Sequence, residues 1–292
     1  MSAAPSAVAS ALLGAVTPAE LVAAFARVAA MALRDPQEPL LQVADAATLA
    51  RLRAQGVPQH GRPLDDVLDE LIRDVLPCRG RMDHRRFLAH VPGPASPLSM
   101  LGELLTAVHN PHAGNRHLCS GPAAFEAALI DWLARQLGLP VSAGGLFVSG
   151  GSMANLSALA VARDQRLAPA ERHLGVAYVC DQTHASIAKA LRLLGFMPAQ
   201  IRCVPSDDAF RFDVARLAAQ IIADRGAGLR PFVVIASAGS TNTGAIDPLP
   251  SLHALAAREG MWLHVDGAFG ASAALAPALR PLLAGIELAD SV

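Results

Sequence analysis

The chain has 292 residues, 52% of them apolar and 17% charged, with a formal net charge of −1. That length can bury a substantial core, and that composition describes an alanine-rich globular protein rather than a disordered one. A near-zero charge with no basic stripe argues against nucleic-acid binding, and no segment reads as a membrane span.

Residues 1–19 are uncharged and rich in alanine but lack the basic leading region of a signal peptide, so they read as a mobile tail entering a helix. Thr17-Pro18-Ala19-Glu20 has capping-box spacing with proline at the first helical position, which predicts a helix from there to about Arg34. Leu64, Val67, Leu68, Leu71, Ile72, Val75 and Leu76 fall on one face of a second helix, which Pro77 stops. Pro92, Gly93, Pro94 and Pro97 make residues 77–97 irregular. Helices are expected over Leu98–Val108 and Ala123–Leu137, the latter closed by Gly138.

From residue 145 short apolar runs alternate with helical stretches. Leu146–Ser149, Val176–Cys180, Ile201–Val204, Phe232–Ala236 and Trp262–Val265 read as strands, separated by helices near 152–163, 184–194, 213–225 and 249–259. Continuous β-branched and apolar strands, each followed by a helix, predict an α/β fold: a largely parallel sheet with helices on both faces.

Parallel sheets present ligands at the carboxyl ends of their strands. The first strand ends in Ser149-Gly150-Gly151-Ser152-Met153-Ala154-Asn155, where glycines let backbone amides approach a ligand and a helix N-terminus favours an anion. Alone, such a turn is structural more often than functional, and this one is neither a Walker loop nor a full dinucleotide fingerprint. The second strand ends in Asp181-Gln182-Thr183-His184, where His184 reads by default as a cap or surface residue. The fourth ends in a hydroxyl-rich loop, Ala238-Gly239-Ser240-Thr241-Asn242-Thr243-Gly244. The fifth ends in Asp266, a carboxylate that needs a cation or several donors to stay ionised. A pyridinium nitrogen is one such partner, and an arginine is the structural alternative. A phosphate cradle, a ring-facing histidine and a buried aspartate at neighbouring strand ends fit one flat phosphorylated cofactor.

His109, His112 and His117 with Cys119 approach zinc-like spacing, but in a loop without a distinctive fourth ligand they read as polar residues, and no metal is assigned. Cys78, Cys119, Cys180 and Cys203 are scattered without a C-x-x-C pair, which suits reduced thiols in a cytoplasmic protein. Lys189 is the only lysine, so Schiff-base chemistry has one candidate within these residues.

With these motifs in this order, residues 80–292 resemble the group II pyridoxal-phosphate-dependent amino-acid decarboxylases, the aromatic-L-amino-acid and glutamate decarboxylase group. The stretch from Pro231 to Val292 matches best. The resemblance implies a fold-type-I large domain over residues 86–292, incomplete at its C-terminal side and lacking the small domain, preceded by an N-terminal helical segment over 1–85. It implies pyridoxal 5′-phosphate as cofactor, with Gly150, Gly151 and Ser152 on the phosphate and His184 stacked over the ring. Thr241 would lie beside the cofactor, Ala268 beneath the ring, and Asp266 on the pyridine nitrogen. His184 and Asp266 are the catalytic assignments. Asp266 would keep that nitrogen protonated, so that the ring takes up the electrons left when carbon dioxide departs. The implied reaction turns an amino acid into an amine and carbon dioxide, in a cytoplasmic homodimer whose Asn115–Pro122 loop reaches toward the partner's site. Nucleic acid and membrane are not expected partners.

The sequence departs from the family at several positions. Met153 stands where Glu is usual, and Gly267-Ala268-Phe269 replaces Ala-Ala-Tyr, losing a hydroxyl; neither removes an implied cofactor contact. Arg86–Pro92 resembles the substrate-facing segment, with His90 where an aromatic residue often stands, so no particular substrate is assigned. In the family the Ala289-Asp290-Ser291 run leads within a few residues to a His-Lys pair whose lysine holds the cofactor, and here Val292 is the last residue. Lys189 does not match that position and reads as a solvated helix residue. The expectation is therefore a truncated, inactive decarboxylase with an unpaired sheet edge, exposed apolar surface and poor solubility. The alternatives are another fold-type-I enzyme on the same cofactor (carbon–carbon lyase, desulfurase or aminotransferase) and a non-catalytic fragment.

Overall fold

The computed structural model describes residues 16–31, 39–56, 60–90, 93 and 96–292. The expected tail over 1–15, the helix end near Arg34, and Val91, Pro92 and Pro94 lie outside the described residues. Two compact units are present, Met1–Asn110 and Pro111–Val292.

In the first unit, helix α1 (Pro18–Met31) opens on the expected capping box. The Thr17 N–H donates to Glu20 Oε2 at 2.7 Å and the Glu20 N–H donates to Thr17 Oγ1 at 3.2 Å, so two end amides are satisfied reciprocally. Helix α2 (Ala46–Ala54) is capped by Asp45, which accepts the Thr48 N–H at 2.7 Å. Helix α3 (Leu64–Glu70) widens into a π-turn over Leu71–Val75 before Pro77. Arg27 ties α1 to α3 through Asp65 and Asp69. Helix α4 (Pro97–His109) starts at the Ser96 cap and ends at Asn110, in the left-handed region at φ 39°. Leu98, Leu101, Leu105 and Val108 make an apolar stripe along α4, and all four are exposed.

The second unit begins with α5 (Ser120–Leu137), closed as expected by Gly138 at φ 75°. The strand expected over Leu146–Ser149 does not form, and this segment pairs with no strand among the described residues. Phe147 instead donates its N–H to Glu126 Oε1 on α5 at 3.0 Å. An apolar run becomes a strand only where its backbone meets a neighbouring strand.

Helix α6 (Gly151–Arg166) leads into the sheet, whose strands are β1 (Gly175–Cys180), β2 (Ile201–Val204), β3 (Arg230–Ser237) and β4 (Trp262–Asp266). Helices α7 (Ala185–Leu193), α8 (Val214–Gly226) and α9 (Leu249–Arg258) connect them. All pairings are parallel, in the order β2-β1-β3-β4. The two-residue period of the strands sorts the core. Val176, Tyr178, Val234, Ala236, Leu263 and Val265 face Leu217 and Ile221 of α8 and Leu252 and Leu255 of α9. Ala177, Val179, Val233 and Ile235 face Leu159 and Ala162 of α6 and Ile187 and Leu191 of α7. Both faces are covered, as the near-continuous apolar strands require.

Residues 290–291 run along the outer edge of β4. The Val265 N–H donates to the Ser291 carbonyl at 2.9 Å, the Asp290 N–H to the Leu263 carbonyl at 3.0 Å, and the Leu263 N–H to Asp290 Oδ2 at 2.8 Å. That edge of the sheet is therefore paired, while β2 forms a four-residue edge on the other. Among the described residues no helix is long and apolar enough to cross a membrane.

Candidate functional site

Chain order reverses between β1 and β3, which are neighbours although β2 lies between them in sequence. Such a switch point opens a crevice beyond the carboxyl ends of the two strands. The turn into α6, the Asp181–His184 turn, the 238–247 loop and the 267–270 turn after β4 are the segments that follow these strand ends or enter the covering helices.

Gly150 precedes α6 at φ 139°, a conformation that favours glycine. The first amides of this 16-residue helix have no acceptor four residues back, and they sit at the positive end of its dipole. A Cβ on Gly151 would lie 3.1 Å from the Ala268 Cβ, so the glycine turn and the end of β4 touch. Ser152 is exposed in the first helical turn. The loop after β3 is pinned to the same place: Gly239, at φ 88°, would set a Cβ 3.1 Å from the Gly270 Cα.

Within that loop the hydroxyls serve the loop itself. Ser240 Oγ lies 2.6 Å from Thr243 Oγ1, and the Ser240 N–H donates to the Ala245 carbonyl at 2.8 Å. Asp247 accepts the N–H groups of Ser237 and Phe212, both at 2.7 Å, although burial pushes its carboxyl above the usual carboxylate range. Thr241 stands exposed at the tip.

Asp266 closes β4 half-buried. Its Oδ1 accepts the Ala268 N–H at 3.1 Å and its Oδ2 accepts Nδ2–H of Asn155 at 3.0 Å. Among the described residues no arginine or lysine pairs with it, so the arginine alternative is not what holds this carboxylate. Asn155, on the first turns of α6, is only 4% exposed and joins three groups. Its Nδ2 also reaches Ser186 Oγ at 3.1 Å, and its Oδ1 lies 3.0 Å from Nε2 of His264. Ser186 Oγ lies 2.8 Å from Nδ1 of His184, which caps α7 by accepting the Ser186 N–H. His184 is thus the helix cap that the default reading expects, with its ring exposed. His264 is fully enclosed in β4, and burial drives its pKa down to about 4 although Asp266 pulls the other way. Its Nδ1 lies 2.9 Å from Ser291 Oγ, which accepts the Trp262 indole N–H at 2.8 Å.

The structure therefore brings Gly151, Ala268, Asp266 and His184 together. Gly150 and Ser152 sit at the adjoining helix start, and Thr241 stands on a loop anchored against residue 270. Lys189 is exposed on α7, outside this network. Asn155, Ser186, His264 and Ser291 were not singled out from the sequence. A signal existed for two of them: the period of β4 places Trp262, His264 and Asp266 on one side, and Asn155 shares a helical face with buried Leu159 and Ala162.

A family model described as the pyridoxal-dependent decarboxylase conserved domain matches residues 47–292. The chain is 40% identical over 255 residues to an aromatic-L-amino-acid decarboxylase of Bacillus atrophaeus, covering 87% of this chain and 53% of that protein. It is 33% identical over 265 residues to tryptophan decarboxylase TDC1 of Camptotheca acuminata, again covering 87% and 53%. In three dimensions it is similar to the crystal structure of Oryza sativa TDC with PLP and tryptamine, with a TM-score of 0.88 and 29% identity, covering 95% of this chain and 60% of that one. The chain spans about half the length of the curated relatives it matches.

Proposed function

The chain belongs to the pyridoxal-dependent decarboxylase family, and from that premise we propose that it supplies the cofactor cradle of an enzyme converting an aromatic L-amino acid to an amine and carbon dioxide. The observation that carries this reading is Asp266: a half-buried carboxylate at a strand end, held by two neutral N–H donors and by no protein cation among the described residues. Each of its oxygens has acceptor capacity left for a protonated ring nitrogen. The residues also fit a phosphorylated ring on the other side, because a glycine turn and a helix N-terminus lie within van der Waals reach of Ala268.

Bound there, pyridoxal 5′-phosphate supplies an electron sink for the pair left behind when carbon dioxide leaves. The chain's own groups do the rest. Gly150, Gly151 and Ser152 take the phosphate through backbone amides and the positive end of α6. Asp266 holds a proton on the ring nitrogen, because an anion within hydrogen-bond distance favours the charged form. His184 and Ala268 would hold the ring between them, with Thr241 beside it. Residues 86–292 make this cofactor-binding part, and residues 1–85 a helical segment before it.

We also propose a cytoplasmic homodimer acting on the free amino acid. The exposed stripe of Leu98, Leu101, Leu105 and Val108 on α4 supports a covered interface, since contiguous apolar surface of this kind marks association sites.

Titration of the purified chain with pyridoxal 5′-phosphate, followed by absorbance, tests the cradle. Saturable binding below about 1 mM, where a ligand contributes about 4 kcal/mol, is the expected result, and no binding there would remove the proposal. Incubation with L-tryptophan, L-tyrosine and L-phenylalanine then distinguishes decarboxylation, read as amine plus carbon dioxide, from transamination or carbon–carbon cleavage.

A further inference from the structure

The Asn155 amide has only one workable orientation. Its nitrogen faces Asp266 Oδ2 at 3.0 Å; turned over, it would set a carbonyl oxygen against a carboxylate oxygen with no proton between them. Oδ1 must then face His264, and because Oδ1 only accepts, His264 carries its proton on Nε2. Nδ1 is therefore bare and accepts from Ser291 Oγ–H at 2.9 Å, while Ser291 Oγ takes the indole N–H of Trp262. Every donor points the same way, from Trp262 through Ser291, His264 and Asn155 to Asp266.

The second hydrogen on Asn155 Nδ2 goes to Ser186 Oγ, so the Ser186 hydroxyl is left to donate to Nδ1 of His184. One amide thus sets both residues assigned to the cofactor ring. The Asp266 carboxylate on one side and the His264 proton on the other both hold that amide in the one orientation.

We propose that His264 is a positioning residue for this site: its Nε2–H holds the Asn155 amide, which in turn holds Asp266 and, through Ser186 Oγ, steadies the His184 ring. His264 touches neither substrate nor cofactor; its effect passes wholly through Asn155. The inference rests on the proposed function only for what Asp266 and His184 finally serve, since the wire itself is a property of the chain.

The test uses the intact chain labelled with ¹⁵N and compares it with His264→Leu, His264→Gln and Ser291→Ala. In the unaltered chain the His264 ring is expected neutral with Nε2 protonated at pH 6, and the Asn155 side-chain amide protected from solvent exchange. His264→Leu should cut that protection roughly tenfold, the scale of one lost hydrogen bond. His264→Gln places an amide N–H near the same point and should restore that protection. Should His264→Leu not fold, Ser291→Ala carries the test, because losing the donor to Nδ1 leaves the imidazole held at one nitrogen only and should lower the Asn155 amide protection in the same direction. An Nδ1-protonated His264, or an Asn155 amide unchanged in these variants, would overturn the inference.

Pyridoxal 5′-phosphate labelled with ¹⁵N in the ring supplies the second readout. The protonated fraction of its nitrogen should fall in His264→Leu and recover in His264→Gln, which a merely structural role would not produce. Equal protonation in all variants also overturns the inference. If the unaltered chain binds no cofactor, the proposed function fails, and the histidine and amide spectra still decide the wire.

Discussion

Strand β4 and helix α4 use the same kind of residue to opposite ends. Leu263 and Val265 are wholly buried between β3 and α9, whereas Leu98 on α4 is 75% exposed and Leu105 62%. Both segments carry a clean apolar pattern, with a period of two in one and of three to four in the other. The pattern states that a face needs cover, and in β4 the chain's own helices supply it. On α4 the same pattern lies open among the described residues, so the apolar stripe contributes little to the stability of the chain by itself. Stability and the proposed association are thus assigned to different regions.

The sharpest way to break that contrast is a matched pair of truncations. Leu263→Ala should cost roughly 2–5 kcal/mol in urea unfolding, while Leu101→Ala should stay within about 0.5 kcal/mol; equal losses would erase the distinction. The second largest effect is a pH dependence carried by the buried region. His264 is neutral when folded because burial lowers its pKa from 6.5 to about 4. The unfolded chain therefore binds a proton below pH 6.5 that the folded chain refuses until about pH 4. Its contribution is complete above pH 6.5 and lost on the way down to about 4, at most about 3 kcal/mol. Unfolding midpoints for the chain and His264→Gln should diverge above that window and converge below it, and parallel curves would contradict the assignment.

A smaller effect is expected at the start of α8, where Asp213 accepts the N–H groups of Ala215 and Arg216, both at 3.0 Å. Asp213→Ala should cost about 1 kcal/mol in the same unfolding measurement. The smallest change in stability belongs to Leu101→Ser combined with Leu105→Ser. Here the readout is sedimentation: the double variant should self-associate less while unfolding at nearly the same urea concentration. Unchanged association would place the interface elsewhere.

Much of the fold was legible because its signals are local. The Thr17–Glu20 box, the Gly138 stop and four of the five expected strands depend on residues close in sequence, and each lies where the pattern puts it. The run Leu146–Ser149 carries the same local signal, but a strand also needs an edge, and which edge is free is a property of the whole sheet. The site divides along the same line. Gly151, His184 and Asp266 were readable at strand and helix ends, where ligand chemistry is expected. Asn155 and His264 sit inside elements whose surroundings are apolar, and a polar residue there becomes conspicuous only once its partners, 109 and 111 positions apart in the chain, are in view.

Those separations bear on the order in which the molecule comes together. Helix α6 can form from its own sequence, but it then carries an asparagine whose amide has no partner on the very face that must be buried. Closing a loop of about 110 residues costs on the order of 4 kcal/mol of chain entropy. Little is gained in return until β4 is paired on both sides and Ser291 reaches His264. The junction therefore forms late and all at once, and pulse-labelled hydrogen exchange should record the Asn155 amide and the β4 backbone becoming protected in a single phase.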